Sequence, residues 1–171
     1  RVPLVMAGPG IPKGQIAEND VYLMDIYPTT CELCGAEIPD CVDGVSFAPM
    51  FKDPAVKTRK SLYLAFQSRI RGVKMGRYKL VEYRTEDLKL SQLFDLEADP
   101  WETCNFYDIA GYEEITKALR EELFRLRDDW DDEQTIFGQQ YWEQWRRYEN
   151  AALHGVGKPK GSNMANQIKD W

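Results

Sequence analysis

Several groups of residues have types and spacings that can do chemistry. Cys31-x-x-Cys34, with Cys41 close behind, is a spacing at which thiolates hold zinc or exchange disulfides. A structural zinc site takes four ligands in compact pairs, and the remaining candidates, Cys104 and His154, lie far away in sequence. The plainer reading makes Cys31 and Cys34 small apolar residues packed from a helix. A disulfide stays open, with three full connectivities for the four cysteines. His154 stands alone, and as a general base it would need an orienting partner and a cleft, so a surface histidine is the plainer reading. A further group is basic: Arg69, Arg71, Lys74, Arg77 and Lys79, with Gln67 alongside. Guanidinium forks match sulfate or carboxylate, while the plainer use of such charges is a solvated sheet edge protected against aggregation. The aromatic set Tyr141, Trp142, Trp145 and Tyr148 can stack on sugar rings, but Tyr141, Trp145 and Tyr148 share one helical face. Docking onto the body is the reading that face favours.

These groups need elements to position them. Ser61–Gln67, Ile70–Met75, Tyr78–Tyr83 and Gln92–Leu96 each have the length and composition of a strand, separated by turn formers. Gly76 accepts the positive φ of a tight hairpin, so an antiparallel four-stranded meander is expected. Gln67, Ser68 and Arg69 form the link between the first two strands. Leu62, Leu64 and Phe66 alternate with Tyr63 and Ala65, so both faces of this sheet read as covered, one of them by another part of the fold. An amphipathic helix follows over about residues 111–129, with a stripe of Ile115, Leu119, Leu123, Leu126 and Trp130. Glu113–Lys117 and Glu121–Arg125 are spaced as i,i+4 ion pairs on its wet side. A second helix is expected over 134–153, then a flexible tail from Gly155 to Ser162.

Upstream, Val2–Ala7 reads as a buried strand ended by Gly8-Pro9-Gly10, and Val21–Met24 as one more strand. Asp25–Cys34 reads as a short helix with Asp25 as N-cap, Pro28 in the first turn and Gly35 just beyond the end. Ile26, Thr30 and Leu33 are its expected inward residues. Residues 36–60 are a proline-punctuated crossing with one helical turn near Ser46–Phe51.

The run Arg71-Gly-Val-Lys-Met-Gly-Arg-Tyr-Lys-Leu80, then Leu93-Phe-Asp-Leu-Glu-Ala-Asp-Pro-Trp-Glu102 and Asn105, resembles the C-terminal part of sulfatases, of the alkaline-phosphatase-like superfamily. Arg1-Val-Pro-Leu-Val-Met-Ala-Gly-Pro-Gly10 and Asp25-Ile-Tyr-Pro-Thr29 resemble two earlier family segments, in the family's order. The resemblance implies an α/β to α+β fold. Residues 1–60 would end the sulfatase α/β domain, 61–130 would be an antiparallel-sheet subdomain with a helix, and 131–171 a C-terminal helix and flexible tail. It also implies a parent that hydrolyses sulfate esters of carbohydrates with calcium and a formylglycine, and an exported or lysosomal location. The N-terminal catalytic part of the same sulfatase would be this chain's partner. In the family the C-terminal subdomain leans over the pocket, which makes Gln67 and Arg69 the substrate-binding candidates.

The family's nucleophile arises from Cys/Ser-x-Pro/Ala-x-Arg, and no such pattern occurs here. Ser46-Phe-Ala-Pro-Met50 has Met where Arg is needed, and the segments starting at Cys31, Cys34, Cys41 and Cys104 fail earlier. The metal carboxylates have no counterpart. Leu153-His-Gly155 matches the family's Asp-His-Gly only in its last two residues. The chain alone is therefore expected to be inactive. The alternative is a stand-alone binding module that kept the scaffold and lost the chemistry.

Composition bounds these readings. The chain has 171 residues, 43% of them hydrophobic, and no apolar run long enough to cross a bilayer. A net charge of −6, with no basic stripe, argues against a nucleic-acid partner. It would also repel a sulfated ligand at long range, so an anion site must rest on local basic residues or a metal. The start at Arg1 without a signal-like segment reads as an excised piece.

Overall fold

The computed structural model describes residues 2–153. The tail reading for Gly155–Ser162, and His154 with it, lie outside these residues. The chain divides into two compact units, Arg1–Lys60 and Ser61–Trp171.

In the first unit a 3-10 turn, Leu23–Asp25, runs directly into helix α1, Ile26–Cys34. The helix ends as its glycine demands. Gly35 sits at φ 67°, its N–H donates to the Glu32 carbonyl at 3.1 Å, and the Ala36 N–H donates to Cys31 at 2.8 Å. Asp25 stands at the N-cap position of α1 but makes no side-chain capping bond to the helix, because its carboxylate is committed elsewhere. Its carboxylate accepts the Tyr22 and Val45 N–H groups, each at 2.8 Å, and the Arg59 guanidinium at 2.5 and 3.2 Å. The Thr29 hydroxyl donates to the Asp25 carbonyl at 2.6 Å and accepts the Phe47 N–H at 3.0 Å. Another 3-10 turn, Ala48–Phe51, lies within the expected proline-rich crossing.

Three expectations for this unit change. Val2–Ala7 is not a strand: no ladder forms there among the described residues, and Val5 is 91% exposed. Its residue types suit a strand, but an extended segment becomes one only when a neighbour takes up its N–H and C=O groups. Val21–Met24 is not a strand either, because the Asp25 carboxylate takes the Tyr22 N–H and turns the chain into the 3-10 segment. In α1 the inward residues are Pro28 and Thr29, while Thr30 and Leu33 are exposed and Ile26 half-buried. The helix is held by the Thr29 hydroxyl and not by an apolar stripe.

The second unit is an antiparallel meander with helices on one face. Strands β1 (Ser61–Phe66), β2 (Ile70–Met75), β3 (Tyr78–Arg84) and β4 (Lys89–Asp95) pair in that order. Gly76 takes φ 58° in the β2–β3 hairpin, where Met75 faces Tyr78. Tyr63, Val73, Leu80 and Leu93 lie across the strands in register. That row packs against Leu119, Leu123 and Leu126 of α2 (Glu113–Asp129) and Tyr141, Trp142 and Trp145 of α3 (Ile136–Leu153). The aromatic face of α3 is thus core, with Tyr148 also buried and donating its hydroxyl to the Thr85 carbonyl at 2.8 Å. The opposite sheet face carries Leu62, Leu64, Phe66, Val81 and Leu90, half-buried except for exposed Phe66. On α2 the expected ion pairs give way to others: Arg125 reaches Glu122 at 2.8 Å and Asp129, and Glu113 accepts the Gly111 N–H.

Candidate functional site: the loop between the first two strands

Gln67, Ser68 and Arg69 connect β1 to β2. Gln67 lies in the left-handed region at φ 48°, uncommon for a residue with a Cβ. The turn closes with the Arg69 N–H on the Phe66 carbonyl at 3.3 Å, and the Arg69 carbonyl accepts the Arg84 N–H at 2.9 Å. The side chains of Gln67 and Arg69 are exposed.

The basic run resolves into distinct roles. Arg71 is 1% exposed and forms a fork with Asp132 at 2.7 and 3.1 Å. Arg77 pairs with Asp95 and, at 2.8 Å, with Glu97; Lys79 pairs with Glu102. Arg69 is the contrast: its guanidinium has no ion pair among the described residues. The sulfate-matching chemistry expected of the whole run is therefore available chiefly at Arg69.

Two buried polar constellations were not anticipated from the sequence. In one, Asp132 accepts Arg71, the Tyr63 hydroxyl at 2.9 Å and the Trp142 indole N–H at 2.7 Å. Burial pushes the Asp132 carboxyl up, but the bonds from Arg71 and Trp142 outweigh it and hold the pKa below the ordinary value. Burial and the same carboxylate push the Tyr63 phenol up. In the other, Glu82 accepts Arg84 at 2.9 Å, Arg120 at 2.6 Å and the Ser91 hydroxyl. Strand alternation held the signal. Arg71, Glu82, Arg84 and Ser91 have the parity of the core residues Val73, Leu80 and Leu93, so their side chains had to enter the core and find partners there.

The cysteines do not assemble a site. Cys31 is half-buried, Cys34, Cys41 and Cys104 are exposed, and all four are free thiols, so Cys34 is not packed inward. Among the described residues no three His, Cys, Asp or Glu side chains gather to hold a metal ion. Nor is any helix there long and apolar enough to cross a membrane. The sulfatase resemblance implies calcium and formylglycine for the parent; the described residues offer no ligand cluster for the metal, and the sequence has no Cys/Ser-x-Pro/Ala-x-Arg pattern for the formylglycine.

Comparison with known proteins gives this geometry a setting. Residues 1–129 match the family described as N-sulphoglucosamine sulphohydrolase, C-terminal. Human arylsulfatase K is 31% identical over 137 residues, covering 73% of this chain and 25% of that protein. Endo-4-O-sulfatase of Bacteroides thetaiotaomicron is 28% identical over 153 residues, covering 77% of this chain and 30% of that protein. Among solved structures, one assigned as a sulfatase from Bacteroides thetaiotaomicron superposes with TM-score 0.62 at 25% identity, over 74% of this chain and 29% of that one. Another, solved with its substrate D-glucosamine-2-N,6-O-disulfate, gives TM-score 0.57 at 24% identity over 63% of this chain and 24% of that one, a likeness of fold alone. The chain spans about a quarter of the length of the curated relatives it matches first.

Proposed function

Given that this chain belongs to the sulfatase family, through the C-terminal domain of the N-sulphoglucosamine sulphohydrolase type, we propose that it is the C-terminal part of an enzyme that hydrolyses sulfate esters of carbohydrates. Residues 1–60 then end the parent's α/β domain, 61–130 form the sheet subdomain and 131–171 the terminal helix and tail. The nucleophile and the metal belong to the N-terminal part, which is this chain's partner. The observation that carries the reading is the match over residues 1–129 in a chain without any Cys/Ser-x-Pro/Ala-x-Arg pattern.

Within that assembly Gln67 and Arg69 contact substrate from the rim of the pocket. Supporting this is the pairing pattern: the neighbouring cations Arg71, Arg77 and Lys79 are already bound to carboxylates, and the exposed Arg69 guanidinium is not. A planar fork with free donors can take a sulfate oxygen pair or a sugar carboxylate.

The purified chain should not hydrolyse a chromogenic aryl sulfate, with or without added calcium. Metal-dependent turnover by the pure polypeptide would overturn the division of labour. Reading the gene upstream of Arg1 separates this from the stand-alone module. An in-frame Cys/Ser-x-Pro/Ala-x-Arg motif supports the enzyme fragment, and an in-frame stop codon supports the module.

A further inference from the structure

The rim loop stands in a conformation that its own residues do not favour. A Cβ-bearing residue at φ 48° persists only where its surroundings hold it. Here the holding group can be named. Arg71 Nη1 donates to the Gln67 carbonyl at 2.6 Å and to the Ile70 carbonyl at 2.8 Å. The rest of the same guanidinium is committed elsewhere, with Nε and Nη2 on the two Asp132 oxygens at 2.7 and 3.1 Å. The plane is backed by the Tyr141 ring, with the guanidinium carbon 4.8 Å from its centroid. Asp132 in turn is fixed by Tyr63 and Trp142. Its 3-10 turn, Asp132–Gln134, is closed by the Thr135 N–H and hydroxyl on the Asp132 carbonyl at 3.0 and 2.9 Å.

We propose that Arg71 and Asp132 form a buried clamp that sets the Gln67–Arg69 loop in its presenting conformation, making both positioning residues for a sulfated-sugar contact they do not touch. The inference rests on the reading of Gln67 and Arg69 as rim contacts. A pinned Gln67 carbonyl turns inward, which leaves the Gln67 side chain outside. The other end of the same loop carries the Arg69 carbonyl, which accepts the Arg84 N–H and so reports on whether the loop is held. Only arginine can do this at position 71. It spends one rigid fork on the carboxylate and a third nitrogen on two carbonyls, whereas a lysine ammonium is a single point that cannot span both sets. The clamp also joins the rim to the segment between α2 and α3, about sixty residues away in sequence. Substitutions in that segment would then alter rim binding without approaching the ligand.

The test is amide hydrogen exchange and ligand titration on the 171-residue chain. The reporters are the Arg69 amide, which closes the loop on Phe66, and the Arg84 amide, which holds its far end. In Arg71→Lys both should exchange about ten-fold faster, on the order expected when local opening replaces a held turn. The amides of Val73, Leu80 and Leu93 should keep their protection. Asp132→Asn should do the same from outside the loop, and the double variant should go no further than either single one. Titrated with D-glucosamine 6-sulfate, the wild-type chain should show shifts at the Gln67 and Arg69 amides, with roughly ten-fold weaker binding in Arg71→Lys, where a displaced Arg69 forfeits its charge-assisted contact with the ligand. Arg69→Ala should abolish those shifts while leaving exchange unchanged. Wild-type binding by Arg69→Ala would remove the rim reading and leave the clamp to be judged by exchange alone. If Arg71→Lys loses core protection, Asp132→Asn carries the test. Unchanged Arg69 and Arg84 exchange in whichever variant keeps its core overturns the clamp.

Discussion

The two units of this chain are held by different physics. In Ser61–Trp171 a sheet and two helices bury a continuous apolar cluster, and the buried charges beside it are paired, Arg71 with Asp132 and Arg84 with Glu82, although Arg84 Nε has no hydrogen-bond partner among the described residues. Among the described residues of Arg1–Lys60 there is one nine-residue α-helix, with two short 3-10 turns and no sheet, and long stretches from Val2 to Ile16 stay exposed. What organises that unit is a carboxylate: Asp25, fully buried, gathers Tyr22, Val45 and Arg59 around itself. A packed apolar core loses stability in proportion to the cavity made in it and is indifferent to pH, whereas a unit gathered on one ionised group depends also on the protonation state of that group. The difference teaches that a sheet subdomain can present a loop rigidly on its own core, while the segment before it draws its order from a few polar ties.

The largest expected effect lies in the second unit. Leu123→Ala, at a site with no exposed surface facing the sheet, should cost about 2–5 kcal/mol. Urea unfolding followed by tryptophan fluorescence would read it, since Trp142 and Trp145 share that cluster. A loss below about 0.5 kcal/mol, typical of surface sites, would mean that the stripe faces water.

Asp25→Ala sharpens the comparison from the other side. It leaves the Arg59 guanidinium and two N–H groups without their acceptor and should cost about 1–3 kcal/mol. Hydrogen exchange should show the loss confined to α1 and the Val45–Phe47 segment, with the sheet unchanged. Equal loosening of the sheet would end the distinction between the units. The pH dependence follows the same carboxylate. Burial raises the Asp25 pKa, but the hydrogen bond from Arg59 and the two N–H donors outweigh it, and the folded value lies below the ordinary one. Its stabilisation is complete above the unfolded value of about 4 and is lost as pH falls through the lower folded value. Acid should therefore release α1 in the wild type, and Asp25→Ala should remove that part of the acid transition.

The smallest expected effect is at the thiols. Cys34→Ser and Cys41→Ser should each change stability by less than about 0.5 kcal/mol, since both side chains are exposed and unpaired. Stoichiometric zinc in the purified chain, lost in either variant, would contradict this.

Much of the second unit was legible because periodicity reports burial directly. The meander, the α2 stripe and the docking face of α3 all follow from spacing of apolar residues. Val2–Ala7 was misread because apolar composition names a residue suited to a strand and not the neighbour that makes it one. The turn at Leu23–Asp25 escaped because one carboxylate decided it, and a single hydrogen bond leaves no periodic trace. At the candidate site, the sequence grouped Arg69 with Arg71 as like charges on one run. The two have the same parity, and their difference lies in position: Arg71 is inside β2 on the face of Val73 and must be buried, whereas Arg69 stands in the loop before β2 and its side chain stays exposed. Asp132, which completes the clamp, comes from the short link between the two expected helices, and only the fold brings it to Arg71.

The most direct test of the functional account is steady-state kinetics of Arg69→Ala in the proposed full-length sulfatase, assayed on a sulfated sugar. A rim cation that binds substrate charge equally in ground and transition states should raise KM and leave kcat unchanged. One charge-assisted hydrogen bond is worth about 1.5–3 kcal/mol, so KM should rise about ten-fold or more, with the melting temperature unmoved. An unchanged KM in a variant that melts like the wild type would contradict the account and return Arg69 to the solvated edge.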